Sequence, residues 1–155
     1  MLVNSKVHKV LILLLSFSFI FTACEKKDEN SDGWQYCNEC TVESWVGEYI
    51  GMGDYNNFNK NATTQDVDVS ITIEQTATDY ITVYFQAPSY YTTTVSGDLA
   101  SPDIISFAGS SSSLSATMYI KDGELKLTGN TKKFHYKQDT LVVDQVVTFE
   151  TIKKQ

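Results

Sequence analysis

Arginine is absent from the sequence. Its planar guanidinium is the usual device for gripping carboxylates and phosphates with two parallel hydrogen bonds, so its absence argues against anionic substrates. From Cys24 onward ten lysines stand against nineteen acidic residues, a formal charge of −9. That sign repels a phosphate backbone and excludes nucleic acid as a partner. Histidine is nearly missing as well, with only His8 and His135. Nucleophilic catalysis therefore lacks a base, and general acid-base work would fall to carboxylates or tyrosines. His135 lies on the polar face of an alternating stretch, as a solvated side chain does, and the pair Asp66 and Asp68 does the same. No Gly-rich phosphate loop follows a strand. Leucine is scarce beyond residue 33, no long helical period is visible, and no repeat of about 20 to 50 residues recurs. These gaps point away from an enzyme, a resident cofactor or a metal centre.

A long apolar run is also missing; the longest, Val10 to Phe21, is broken by Ser16 and Ser18 and preceded by Lys6, His8 and Lys9. A membrane-spanning helix needs about 20 apolar residues. The order of charge then apolar core is that of a cleaved secretory signal. Thr22 and Ala23 directly ahead of Cys24 resemble the lipobox of bacterial lipoproteins, with Phe21 where that pattern prefers leucine. The resemblance implies that residues 1–23 are removed, that the Cys24 sulfur receives a diacylglycerol and its freed amino group a further acyl chain, and that the protein is anchored in the outer membrane of a bacterial envelope. Two or more acyl chains hold a protein firmly, whereas one is marginal. Glu25 to Gly33 carries no apolar side chain, so residues 24–33 read as a disordered tether. Its acidic cluster reads either as a solvated linker or, by resemblance, as the signal that sends certain lipoproteins to the cell surface.

Residues 34–155 fit one domain, and their Thr, Ser, Tyr, Val and Ile favour strands. Cys37 and Cys40 invite three readings. A zinc site needs about two further ligands, and only His135 and carboxylates are on offer; a redox pair expects a βαβ setting that is missing. A local disulfide in an oxidising compartment needs nothing more. Thr41 to Trp45 predicts a helical turn capped by Thr41. Asn56 to Gln65 reads as a polar loop. Asp54, Asn56 and Asn59 there fall short of an EF-hand, because Phe58 occupies a ligand position. Asn61, Ala62 and Thr63 form a formal glycosylation acceptor.

Strict alternation then sets in. Val67, Val69, Ile71 and Ile73 alternate with Asp68, Ser70 and Thr72, and Ile81, Val83 and Phe85 repeat the pattern before Pro88. Strands follow at Tyr90 to Ser96 and Ile104 to Phe107. Leu114, Ala116, Met118 and Ile120 lead into Asp122-Gly123, a strong hairpin signal, and on to Leu125 and Leu127. Gly129 and Asn130 read as a bulge or turn, followed by Phe134 and Tyr136. In the closing strand Leu141, Val143, Val147 and Phe149 share a face that Gln145 interrupts. A buried amide needs partners, so Gln145 is either bonded within the core or aimed at a ligand. Asp139, Thr140 and Leu141 also resemble a bacterial O-glycosylation acceptor.

Trp45, Gly47 and Tyr49, after a helical turn, resemble the opening strand of lipocalin-like (calycin) barrels, with Tyr49 where that family carries tryptophan and with Lys153 or Lys154 in place of the arginine that packs over that ring. The resemblance implies an all-β fold, an antiparallel up-and-down barrel of about eight strands with a short N-terminal helical turn and a lid in the loop after the first strand. An open β-sandwich is the alternative. Eight strands enclose a space that side chains fill or one small ligand occupies. The expected function is to hold a small apolar ligand, with Tyr49, Tyr55, Phe58, Tyr90, Tyr91 and Gln145 at the mouth, since rings with polar tips suit a half-wet opening. The competing expectation is a surface interaction module, binding glycan or protein, over a packed core.

Overall fold

The computed structural model describes residues 32–155. The export signal, the lipidation residue Cys24 and the tether up to Ser31 lie outside the described residues. Among the described residues, alternating side chains produce nine strands and one helical turn: β1 (Gln35–Tyr36), α1 (Val42–Trp45), β2 (Gly47–Asn57), β3 (Ala62–Ala77), β4 (Tyr80–Ala87), β5 (Tyr91–Asp98), β6 (Ile104–Ala108), β7 (Ser112–Lys121), β8 (Glu124–Lys137) and β9 (Thr140–Lys153). The fold is all-β and antiparallel, one continuous sheet in the order β5-β4-β3-β2-β9-β8-β7, with β6 and β1 both against the free side of β7. From β2 to β5 and from β6 to β9 consecutive strands are neighbours, and the first long strand, β2, also pairs with the last, from Tyr49↔Lys153 to Asn57↔Gln145. Asp122 and Gly123 both take positive φ in the turn between β7 and β8, the backbone twist a two-residue hairpin demands.

The expected closed barrel is corrected at one place. Among the described residues, β5 and β6 share no ladder, so the sheet is rolled and its two edges face each other across a seam. Side chains occupy that seam where ladder hydrogen bonds would run. The Phe107 ring lies so close over Gly97 that a Cβ there would stand 2.4 Å from it. Farther along, Thr93 Oγ1 donates to Ser112 Oγ at 2.8 Å, and the Tyr91 hydroxyl reaches past β7 to the Lys132 carbonyl at 3.1 Å. The expected loop Asn56 to Gln65 is corrected too: only residues 58–61 lie between β2 and β3, and no lid stands there. The polar side chains that read as loop instead stitch a tight turn, with Thr63 Oγ1 donating to Asn56 Oδ1 and the Lys60 amide to Asn57 Oδ1.

Inside the roll the alternation reads as anticipated. Val67, Val69, Ile71 and Ile73 from β3, Ile81, Val83 and Phe85 from β4, and Leu114, Ala116 and Met118 from β7 are buried in one cluster with Leu127, Val147 and Phe149. Gly129 is part of β8 rather than a turn, and it sits where a Cβ would meet the Ser115 carbonyl oxygen at 2.1 Å. Its register partner on β9 is Phe149, so the missing side chain leaves room for that ring against Phe85, 5.4 Å between centroids. One end of the roll is shut by α1: Trp45 is fully buried and its indole N–H donates to the Pro102 carbonyl at 3.0 Å.

Candidate functional site

The two ends of the roll differ. At the α1 end Tyr49, expected at a mouth, is completely buried and forms the floor. Its hydroxyl donates to the carbonyls of Ser44 and Trp45, each at 3.0 Å, and burial pushes its phenol pKa up. The Lys153 ammonium lies 5.8 Å from the centre of that ring and donates to the Ser44 carbonyl at 2.8 Å. Partial burial lowers its pKa. Cys37 and Cys40 are joined by a disulfide beside the floor, with Cα atoms 5.3 Å apart. The chain enters here as well: Lys121 Nζ donates to the Asp32 carbonyl, and the Lys126 ammonium sits 4.6 Å over the Trp34 ring while pairing with Glu150.

At the opposite, distal end the structure brings together the other expected residues. Tyr55 and Tyr90 pack at 5.1 Å between centroids, and Asn57 Nδ2 donates to the Tyr55 hydroxyl at 2.8 Å. Tyr91 turns inward, buried against Phe85, with its hydroxyl accepting from Thr131. Phe58, at the tip of the β2–β3 turn, is 60% exposed. Gln145 is the register partner of Asn57, half-buried, and its amide bonds to no side chain or carbonyl among the described residues. A core role for that amide is thereby corrected. The expected shared face of the closing strand is corrected with it: the register shifts between Lys133 and Phe134, opposite Asp144, so that Leu141 is exposed and Val143 half-buried instead of in the core with Val147. A β-bulge of this kind turns the rest of the strand over.

That bulge creates a feature that alternation alone did not reveal. Asp144 accepts from His135 Nδ1 or shares its proton at 2.9 Å, and its other oxygen accepts from Asn59 Nδ2 at 2.9 Å. The Phe58 amide donates to the Asp144 carbonyl, also at 2.9 Å. The His135 and Asn59 hydrogen bonds hold the Asp144 carboxyl below the usual carboxylate range. One carboxylate thus clamps the β2–β3 turn to the β8–β9 hairpin. Phe58, Asn59, His135, Asp144, Gln145, Asn57, Tyr55 and Tyr90 form a continuous chain of contacts across the distal end. Tyr136 and Leu141, directly opposite each other near the hairpin tip, add exposed apolar surface beyond it.

Among the described residues, Ile81, Val83, Met118, Leu127, Thr131, Val147 and Thr151 have no accessible surface. A side chain with none lines no space that admits a water, so no void borders these residues. The concavities on the outer wall are open grooves, such as the one of about 570 Å³ between Met52, Asp54, Asp66, Asn130 and Glu150. No protein-family model, curated protein or solved structure matches the chain.

Proposed function

We propose that the protein is a lipid-anchored envelope lipoprotein that works as a binding module rather than an enzyme, with the end of the roll opposite its tether as the working surface. One observation carries the reading: side chains in the middle layers such as Val83, Met118, Leu127 and Val147 have no accessible surface, while Phe58, Tyr90, Tyr136 and Leu141 are exposed at the end farthest from where the chain enters beside Lys121. Exposed apolar groups that cluster, rimmed by polar ones, mark contact surfaces. With Cys24 in a bilayer, the tether reaches the roll at the end beside Lys121, and the aromatic end is the one farthest from that attachment. A lipocalin-like ancestry for the roll is supported by the pairing of first and last strands, the helical turn at the floor and Lys153 over the Tyr49 ring. On this reading the β5/β6 seam is an opened version of that barrel.

A second reading, a small apolar ligand held at the distal end, is favoured by the rings of Tyr55, Tyr90 and Tyr91 converging there with Phe85. A photoreactive amino acid placed at Phe58 or Tyr136 in intact cells is expected to form adducts, while the same residue at Tyr84 or Ser115 on the outer wall gives none. Adducts from the wall alone, or from all four positions alike, contradict the assignment of the working surface. Cys24→Ser is expected to move the protein from the membrane fraction to the soluble one, and retention in the membrane contradicts the anchor.

A further inference from the structure

We infer that the distal end binds a saccharide, with Phe58 and Tyr90 as stacking platforms and Asn59, His135 and Gln145 as the groups that read hydroxyls. The inference rests on the binding-module reading and names the chemistry of what is bound. A sugar ring offers an apolar C–H face and a rim of hydroxyls that both donate and accept. It is met by flat rings in half-wet positions together with planar polar groups that have hydrogen-bonding capacity to spare. The distal end has both. Phe58 and Tyr90 are exposed rings, Tyr90 held by the buried Tyr55 behind it. Asn59 uses its NH₂ on Asp144 and keeps its carbonyl oxygen; His135 uses Nδ1 and keeps Nε2; the Gln145 amide is unspent on both atoms.

Asn59 and His135 are held in place before any ligand arrives. Asp144 orients Asn59 and His135 together, its carboxyl 13% exposed, and the Phe58 amide is tied to the Asp144 carbonyl. Rigid polar groups around an apolar platform lose little entropy on binding. Lys60 follows Asn59 in the β2–β3 turn and Lys133 is the register partner of Gln145, in a chain of net negative charge. They are compact point charges without the planar fork of arginine, and they add attraction for an acidic sugar without being required for a neutral one.

The test is retardation of the full-length protein, in detergent, through gels containing dextran, mannan or polygalacturonate. At least one is expected to slow it, with Phe58→Ala and Gln145→Ala each weakening the interaction about tenfold, the equivalent of about 1.4 kcal/mol, and Tyr84→Ala leaving it unchanged. Retardation by dextran or mannan identifies a neutral saccharide, and by polygalacturonate alone an acidic one. Absence of retardation by all three overturns the inference. So does retardation by polygalacturonate that salt abolishes and Phe58→Ala leaves intact, which is charge attraction only. If no polysaccharide slows the protein but a photoreactive residue at Phe58 still forms adducts with protein, the saccharide is wrong and the binding module stands. If the distal positions form no adducts, both fail.

Discussion

Thr151 is the one polar side chain among the described residues that is buried with no hydrogen-bond partner. It has no accessible surface and pairs with Gly51 and Leu127 on neighbouring strands. An unsatisfied buried hydroxyl costs about 1 to 3 kcal/mol. Thr151→Val, the same shape without the hydroxyl, is therefore expected to raise unfolding free energy by about 1 kcal/mol in urea titration; a loss of stability would show that the hydroxyl has a partner after all. Tyr49 is the opposite case. Its hydroxyl serves two carbonyls at the floor, and burial keeps it protonated as a donor. Tyr49→Phe leaves the Trp45 carbonyl without that donor while Lys153 still serves Ser44, for an expected cost of about 1 kcal/mol by the same titration. Gly129→Ala is expected to cost more, about 3 kcal/mol, because the new Cβ meets backbone of β7 that no rotamer change can move.

Between elements, the Asp144 clamp and the disulfide make separable predictions. Asp144 has a folded pKa below its unfolded value of about 3.9. Its contribution is therefore present above that unfolded value and disappears as pH falls through the lower, folded one. Acidification below about pH 4 is expected to raise amide exchange at Phe58 through Lys60 before the core strands respond; simultaneous exchange of both would mean the clamp holds nothing by itself. The Cys37–Cys40 bridge closes a short loop, so the chain-entropy estimate for its removal is about 2 kcal/mol. Cys37→Ser with Cys40→Ser is expected to remain folded with a lower denaturation midpoint. The strands themselves were legible because their alternation is unbroken from Val67 to Ile73 and from Leu114 to Met118, and a buried face imposes that period directly. Asn56 to Gln65 misled for a physical reason. Asn and Thr read as loop formers by propensity, yet in this turn their side chains bond across two strands and extend the ladder. The bulge at Asp144 left no mark in the alternation, since both Gln145 and Asp144 are polar, and the clamp it creates depends on a residue of the β2–β3 turn that only the fold brings near.

Across the whole molecule, a single sheet rolls until its edges meet and is filled from within by its own side chains. Alternation and strand count announced an all-β antiparallel sheet, though the closed barrel expected of it is open between β5 and β6. Composition cannot say whether such a roll is hollow. That depends on how the large inward residues Tyr49, Phe85, Met118 and Phe149 meet across the centre, which here leaves nothing for water to touch at Tyr49 and Met118. Nor did pattern disclose the seam, where Phe107 takes the place of a ladder over Gly97. The proposed function assigns the interior to stability and recognition to the exposed end. Native mass spectrometry of the protein isolated from its own membranes puts this division to the test. The predicted mass is that of the acylated polypeptide with no small molecule retained, whereas an apolar compound that stays bound through isolation would contradict a solid interior.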